Sequence, residues 1–351
     1  MRFYQTTTEY NCGIDLHTRQ MYVCVMDREG HRLLHTNVKG NDFGYFLKRV
    51  EPWRHDMTVV SECTFNWYWL ADACEAAGLP FVLGHALYLK AIHGGKNKND
   101  RIDSEKLAHL LRSNLIPPAH VYPAEKRPIR ALLRRRMNYV WKRAELLGHL
   151  TCSPYELGEK PVTQCQHRVR DRWFDKLRPM YQDPMQRLSA ESDMHLIKEY
   201  DRMIDRIERA VVKHTHQEQC KEFNLLKTIP GIGTVLALTI LYEMDSVSRF
   251  PTVKDFSSYC RLVKGSVASA GKLKGVRGGK LGNPYLKWAF RQAAVICKRD
   301  QHYVGALAKK LETKHPKPVA NSILANKLAR AVYFMLRDGK GFDPKKMAPA
   351  K

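Results

Sequence analysis

The sequence lacks the marks of several protein classes. Its nine cysteines, at 12, 24, 63, 74, 152, 165, 220, 260 and 297, form no CxxC pair. Thiolate zinc sites need such close pairs, so structural zinc is not expected. An odd set of scattered thiols fits a reducing compartment, most of them buried as small apolar residues. No stretch approaches the roughly 18 apolar residues of a membrane span, and the opening MRFYQTTTEYNCG has no apolar core of signal length. A soluble, cytoplasmic protein without a membrane partner is expected. No histidine stands in an HExxH pattern, and none is assigned a metal. Acid is scarce where base is dense: residues 256–299 contain no Asp or Glu and ten Lys or Arg.

What is present is positive charge. Over 351 residues, 59 Lys and Arg stand against 35 Asp and Glu, a net charge of +24. Such a field gathers polyanions, and phosphate contacts release counterions, so nucleic acid is the expected partner. The length exceeds one typical domain, and two globular parts with a connector are expected. The first, residues 1–124, reads as α/β. Strand patterns fall at 22–26, 31–37, 57–61 and 81–83, a turn at Asp27-Arg28-Glu29-Gly30, and helices at 43–49, 68–77 and 104–114. Asp15 is placed near the start of a first strand.

Residues 125–222 read as a helical connector. Leu133, Met137, Val140, Ala144 and Leu147 repeat at 4,3,4,3 spacing, and so do Leu196, Tyr200, Met203, Ile207 and Ala210. Both spacings are those of a helix seam, serving either an intrachain pair or a coiled coil between chains. Residues 151–185, with four prolines, read as a loop-rich link. From 223 to 341 a mostly helical part is expected, and 342–351 is read as a disordered tail. Ile229-Pro230-Gly231-Ile232-Gly233 has the form of a helix-hairpin-helix turn, in which Gly231 and Gly233 let backbone amides approach a phosphate; an ordinary connection has the same form. In the following stretch Lys264, Lys272, Lys274, Arg277 and Lys280 stand among six glycines and suit a nucleic-acid backbone.

Four carboxylates are placed for chemistry. Asp15 lies in the first strand segment, Glu62 ends the strand Met57–Ser61, and Asp100 and Asp103 share a face at the start of the 104–114 helix. Gathered at one sheet end, they would repel one another without cations. Oxygen ligands suit Mg²⁺, and two such ions can run phosphoryl transfer. The bland alternative is that Asp100 and Asp103 merely favour a helix N-terminus.

The pattern GIDLH…VVSECTFNWYW…KNDRIDSEKLAHLL resembles the DEDD signature of RuvC-like insertion-sequence transposases, with Asp15, Glu62, Asp100 and Asp103 matching its four acids. TIPGIG, FSSYCRL, SAGKLKG and GNPYLKWAF follow the order of the same family's second half. The resemblance implies a ribonuclease-H-like N-terminal domain and a C-terminal transposase domain whose nucleophilic serine falls on Ser269, with Ser266 as the neighbouring choice. It further implies DNA cleavage and rejoining through a serine–DNA intermediate, donor and target DNA as substrates, and a structured non-coding bridge RNA as guide. A homo-oligomer, dimer or tetramer, in bacterial cytoplasm at the nucleoid completes the picture. From the residues alone, a serine without a histidine anywhere in 256–299 needs activation from elsewhere. Two other readings stay open: a metal-dependent junction nuclease using water, and a non-catalytic RNA- and DNA-binding scaffold.

The charge argument has a direct consequence. Affinity for duplex DNA is expected to fall steeply and log-linearly with salt in a filter-binding titration; a flat response contradicts it.

Overall fold

The computed structural model describes residues 2–92, 99–160, 170–217, 221–263, 265–269, 272–277, 281–299 and 303–347. Of 266–269 and 272–277 it describes the backbone. The chain divides into two compact units, Met1–Glu125 and Lys126–Lys351.

The first unit is a five-stranded mixed sheet flanked by helices. Strands β1 (Tyr10–Leu16), β2 (Gln20–Met26) and β3 (Arg32–Lys39) form an antiparallel meander, followed by α1 (Phe43–Val50), β4 (Met57–Glu62), α2 (Tyr68–Ala76), β5 (Phe81–Gly84), α3 (Ala86–Ile92) and α4 (Asp100–Arg112). Sheet order is β3-β2-β1-β4-β5, with β4 parallel to both β1 and β5. The alternation of strand side chains sorts the two faces. Cys12, Ile14 and Leu16 of β1, with Met57 and Val59 of β4, join Phe46, Val50, Leu70 and Cys74 in one core. The opposite parity carries Gly13, Asp15, Val60 and Glu62, and there Val60 packs with Leu107, Leu110 and Leu111 of α4.

Asp15 is therefore the penultimate residue of β1, at the end of the strand rather than its beginning. The first strand starts at Tyr10, because Tyr10–Ile14 already pair with Met57–Ser61. The hairpin turn stands where expected: Asp27 accepts from the amides of Gly30 and His31, and Gly30 takes φ +95°.

The second unit is mostly helical: α5 (Arg127–Glu156), α6 (Arg170–Leu177), α7 (Pro184–Gln217), α8 (Lys221–Lys227), α9 (Thr234–Met244) and α10 (Val253–Tyr259), then the hairpin β6 (Gly265–Ser269) and β7 (Lys272–Arg277), and finally α11 (Pro284–Cys297), α12 (Tyr303–Lys314) and α13 (Lys317–Asp338). Its core gathers Leu226, Ile240, Phe256, Phe290, Leu328 and Val332.

Helices α5 and α7 pack on each other within the chain, and the expected repeat holds only in part: Leu133, Met137 and Ile207 are buried. Leu196 and Met203 are 45% and 41% exposed, while Met194, Ile197, Ile204 and Val211 are buried. The seam runs through a charged step. Asp201, itself buried, accepts from Arg143 of α5 at 2.5 Å and from Arg170 of α6. An acid at a seam position disguises the repeat, and the eye settles on the exposed apolar residues instead.

Of the expected loop-rich link, residues 151–156 and 170–177 are helical, and 161–169, with Pro161, lie outside the described residues. Pro154 lies in the last turn of α5, Pro179 in a one-turn 3₁₀ segment and Pro184 at the first position of α7, where a missing amide costs little. Trp173, Phe174, Leu177 and Leu150 form a small core of their own there. At the far end, Pro344–Lys346 form a 3₁₀ turn and Met347 is buried, so order extends to 347 and past the expected tail boundary.

Among the described residues no helix is long and apolar enough to cross a membrane. Cys12, Cys24, Cys74, Cys260 and Cys297 are buried free thiols.

The arginine run 134–136 is spent partly inside the unit. Arg136 donates to Glu208 of α7. Arg134 donates to Glu243 of α9 at 2.6 and 2.8 Å, and Arg130 to the same carboxylate at 3.2 Å. Asn283, which caps α11, donates to Glu243 at 2.7 Å. Burial pushes the Glu243 carboxyl up, but the Arg134 hydrogen bond and the two guanidinium charges outweigh it and hold it below the usual carboxylate range. Its stabilising contribution is thus present above the unfolded carboxylate pKa and lost as pH falls through the folded one. Glu243→Leu leaves two guanidinium groups without their shared acid and is expected to destabilise the protein by about 3–5 kcal/mol, read from the urea-unfolding midpoint.

Candidate metal centre

Gly13 sets the site. A Cβ built on it would lie 2.2 Å from the Ser104 carbonyl oxygen and 2.4 Å from the Ala108 amide. Backbone touches backbone there, and only glycine fits. Ser104 and Ala108 are fully buried on the helix face turned to β1. Helix α4 consequently starts close to the end of β1, and Asn99, which accepts from the Arg101 amide, caps it. Capping is done by Asn99, which leaves Asp100 and Asp103 in the first turn available for other roles.

Two residues past Gly13, on the same face, stands Asp15. The His17 Nε2 lies 3.1 Å from Asp15 Oδ2 and 3.2 Å from Asp100 Oδ1. Each of the three offers one ligand atom, all within 4.8 Å of one another. Asp103 adjoins this group and pairs with Lys106 at 3.1 Å. Glu62 follows Ser61, the partner of Ile14 across the parallel β1–β4 pair, so its step on β4 lies level with Asp15 on β1 and on the same face. The four acids predicted from sequence thus fall on three adjoining segments, with Asp15 and Asp100 sharing a ligand group and Glu62 and Asp103 at its border.

Electrostatics mark Asp15 as the constrained member. Burial raises its pKa most. The His17 charge and hydrogen bond oppose that shift, and the Asp100 and Asp103 charges add to it. An anion pressed by burial and two like charges is what a divalent cation relieves, and the donor set of carboxylate oxygens with one imidazole nitrogen can hold one. A second group, Asp27, Glu29 and His31, has comparable spacing in the β2–β3 turn; there Asp27 serves the turn itself.

His17 is the functional candidate that sequence reasoning passed over, although it stands in the GIDLH segment. The available signal was parity: in a strand, positions 13, 15 and 17 share a face.

The expected nucleic-acid contacts fare unevenly. Gly231 takes φ +88°, and a Cβ there would meet the Cys297 amide of α11 at 2.7 Å, so close packing requires this glycine; Gly233, at the N-cap of α9, has open space around it. Lys264 and Lys280 lie outside the described residues. Ser269, Lys272, Lys274 and Arg277 lie on the β6–β7 hairpin, Ser269 paired with Lys272, and their side chains lie outside the description, as does that of Ser266.

A mixed five-stranded sheet with acids at its strand ends, followed by a long helical region, is compatible with the RuvC-like class. Comparison with known proteins narrows this. Residues 12–152 match a family model described as transposase, the DEDD type of IS110, and residues 223–307 match the transposase IS116/IS110/IS902 family. A relative from Yersinia enterocolitica, the transposase for insertion sequence element IS1328, is 23% identical over 337 residues, covering 94% of this chain and 97% of that protein. Both matched stretches and this relative make the chain similar to the IS110-type DEDD transposases.

The crowding at Asp15 has a measurable sign. Its folded pKa is raised, so the metal-free native state loses stability as pH rises from the unfolded carboxylate pKa through the folded one. Asp15→Asn removes that cost. In a chelator, at neutral pH, it is expected to raise the Tm above that of the wild type, with the difference shrinking as the solution is acidified through that window.

Proposed function

We propose that this chain is a DNA-strand-cleaving transposase whose phosphodiester chemistry takes place at the Asp15–Asp100 cluster on a divalent cation, Mg²⁺ being the choice of the oxygen donors. The observation that carries the reading is the meeting of Asp15 and Asp100 about one imidazole nitrogen, with Glu62 and Asp103 alongside. The cation, when bound, supplies Lewis-acid stabilisation of charge at phosphorus and lowers the pKa of a water nucleophile. Asp15 and Asp100 hold it. Asp15 presents its half-buried carboxylate from the end of β1, and Lys106 pairs with Asp103 at the edge. The basic stretch 256–299 serves the sugar-phosphate backbone by charge.

The water-nucleophile alternative is the better supported, because the described residues gather an acid cluster that can hold a cation. The serine reading retains one supporting feature: Ser269 stands at the turn end of the β6–β7 hairpin, paired with Lys272. Donor and target DNA are the proposed substrates. The bridge RNA and the homo-oligomer belong to the proposal through the family resemblance, and the net charge of +24 suits an RNA partner.

Cleavage of a junction-bearing substrate tests both readings. Asp15→Asn and Asp100→Asn are expected to lower the rate by about 10²-fold or more, the equivalent of the several kcal/mol a catalytic cation supplies. Ser269→Ala is expected to leave strand cleavage in place, with no protein–DNA adduct on a denaturing gel. An adduct that forms in the wild type and vanishes in Ser269→Ala replaces this reading with the serine one.

A further inference from the structure

We infer that His17 Nε2 is a direct ligand of the cation, and that this nitrogen shifts the site's preference from Mg²⁺ toward ions of the Mn²⁺ class; the inference rests on the metal-centre reading above.

Three observations carry it. The first is spacing. Neighbouring ligand atoms of an octahedral ion with bonds of about 2.1 Å lie ~3.0 Å apart. His17 Nε2 stands 3.1 Å from one carboxylate oxygen and 3.2 Å from another, on two different chain segments. In the metal-free chain these are hydrogen-bond and ion-pair distances, and they also match two edges of such an octahedron with the nitrogen at their common corner. The second is the frame around the residue. The His17 amide donates to the Gln20 carbonyl at 3.0 Å, and its carbonyl accepts from Asn41 Nδ2 at 3.0 Å and Asn66 Nδ2 at 3.1 Å. Asn41 reaches this carbonyl from a left-handed backbone position after β3, and Asn66 from the segment after β4. The main chain of His17 is thus fixed from three sides, which sets the point from which the ring reaches the two carboxylates. The third is access. The ring is 43% exposed, beside a carboxylate that is 15% exposed, so an ion can enter from solvent and meet the nitrogen together with the half-buried acid.

The chemistry follows from donor type. Mg²⁺ takes oxygen and keeps its waters, whereas a neutral imidazole suits first-row transition ions, whose affinity for such sites rises from Mn²⁺ onward. Four acids alone define an oxygen site. A nitrogen among them gives up little with Mn²⁺ and more with Mg²⁺, so the residue bears on which ion is held as well as how tightly.

Electron spin-echo spectroscopy of Mn²⁺ added to the full-length protein reads the ligand directly. The wild type is expected to show ¹⁴N modulation from a bound imidazole, replaced by the ¹⁵N pattern when the protein is labelled with ¹⁵N-histidine. His17→Ala is expected to abolish the modulation and weaken Mn²⁺ at least about tenfold, while Mg²⁺, measured by competition, weakens less. Mn²⁺ that binds the wild type in an Asp15-dependent way without nitrogen modulation overturns the role of His17 and leaves the acid site standing. Failure of the wild type to bind Mn²⁺ at all overturns the metal-centre reading and this inference together. The isotope exchange shows that a histidine ligates without any substitution, and His17→Ala, with its fold checked by circular dichroism, assigns the signal to His17 rather than to His31 of the second group.

Discussion

The arrangement of the first unit depends on a backbone contact. At Gly13 the strand β1 and the helix α4 meet without a side chain between them, so near that any Cβ would stand 2.2 Å from a helix carbonyl oxygen. Packed interiors transmit such constraints with little give. Because the helix is seated there, its first turn arrives at the end of the strand, and Asp100 comes within reach of the imidazole that also touches Asp15. The apolar contacts of Leu107, Leu110 and Leu111 with Val60 and Val82 hold the helix down, but they do not fix its height above the sheet. Gly13 does that.

The two units handle charge in opposite ways. In the first, acids are assembled near one another and left partly uncompensated, so that Asp15 holds its proton more strongly than an ordinary carboxylate. Sites that spend stability in this way are common where function needs a poised group. In the second, buried acids are saturated. Glu243 receives two guanidinium groups and a carboxamide, and Asp201 bridges Arg143 and Arg170. A fraction of the protein's large positive charge is therefore structural. The basic residues of 256–299 have no acid in their own stretch of sequence, which keeps that segment the more suitable place for a polyanion.

Much of the first unit was legible in the sequence because its signals are short-range: apolar runs at 22–26 and 57–61, a Gly-bearing turn at 27–30, and an amphipathic helix ahead of Pro117-Pro118. The four acids were named from spacing and family resemblance together, and of these the structure brings Asp15 and Asp100 into one ligand group. Three things were hidden for physical reasons. The α5–α7 seam contains Arg143 and the buried Asp201, and a charge pair at seam positions interrupts an apolar repeat. Pro179 and Pro184 stand at helix starts and Pro154 only in the last turn of α5, so these three did not break the structure they punctuate. His17 was passed over because its importance lies in a distance to Asp100, more than eighty residues away in sequence. The role of Gly231 could be read in two ways, and only the contact with α11 separates packing from phosphate approach.

The most direct measurement of the proposed arrangement is calorimetric titration of a divalent cation into Gly13→Ala, with the folded fraction fixed by circular dichroism. The added methyl group forces α4 away from β1, and cation affinity per folded molecule is expected to drop sharply while the acids and the histidine remain in the chain. A folded Gly13→Ala that binds the cation as tightly as the wild type would contradict the dependence of the site on that backbone contact.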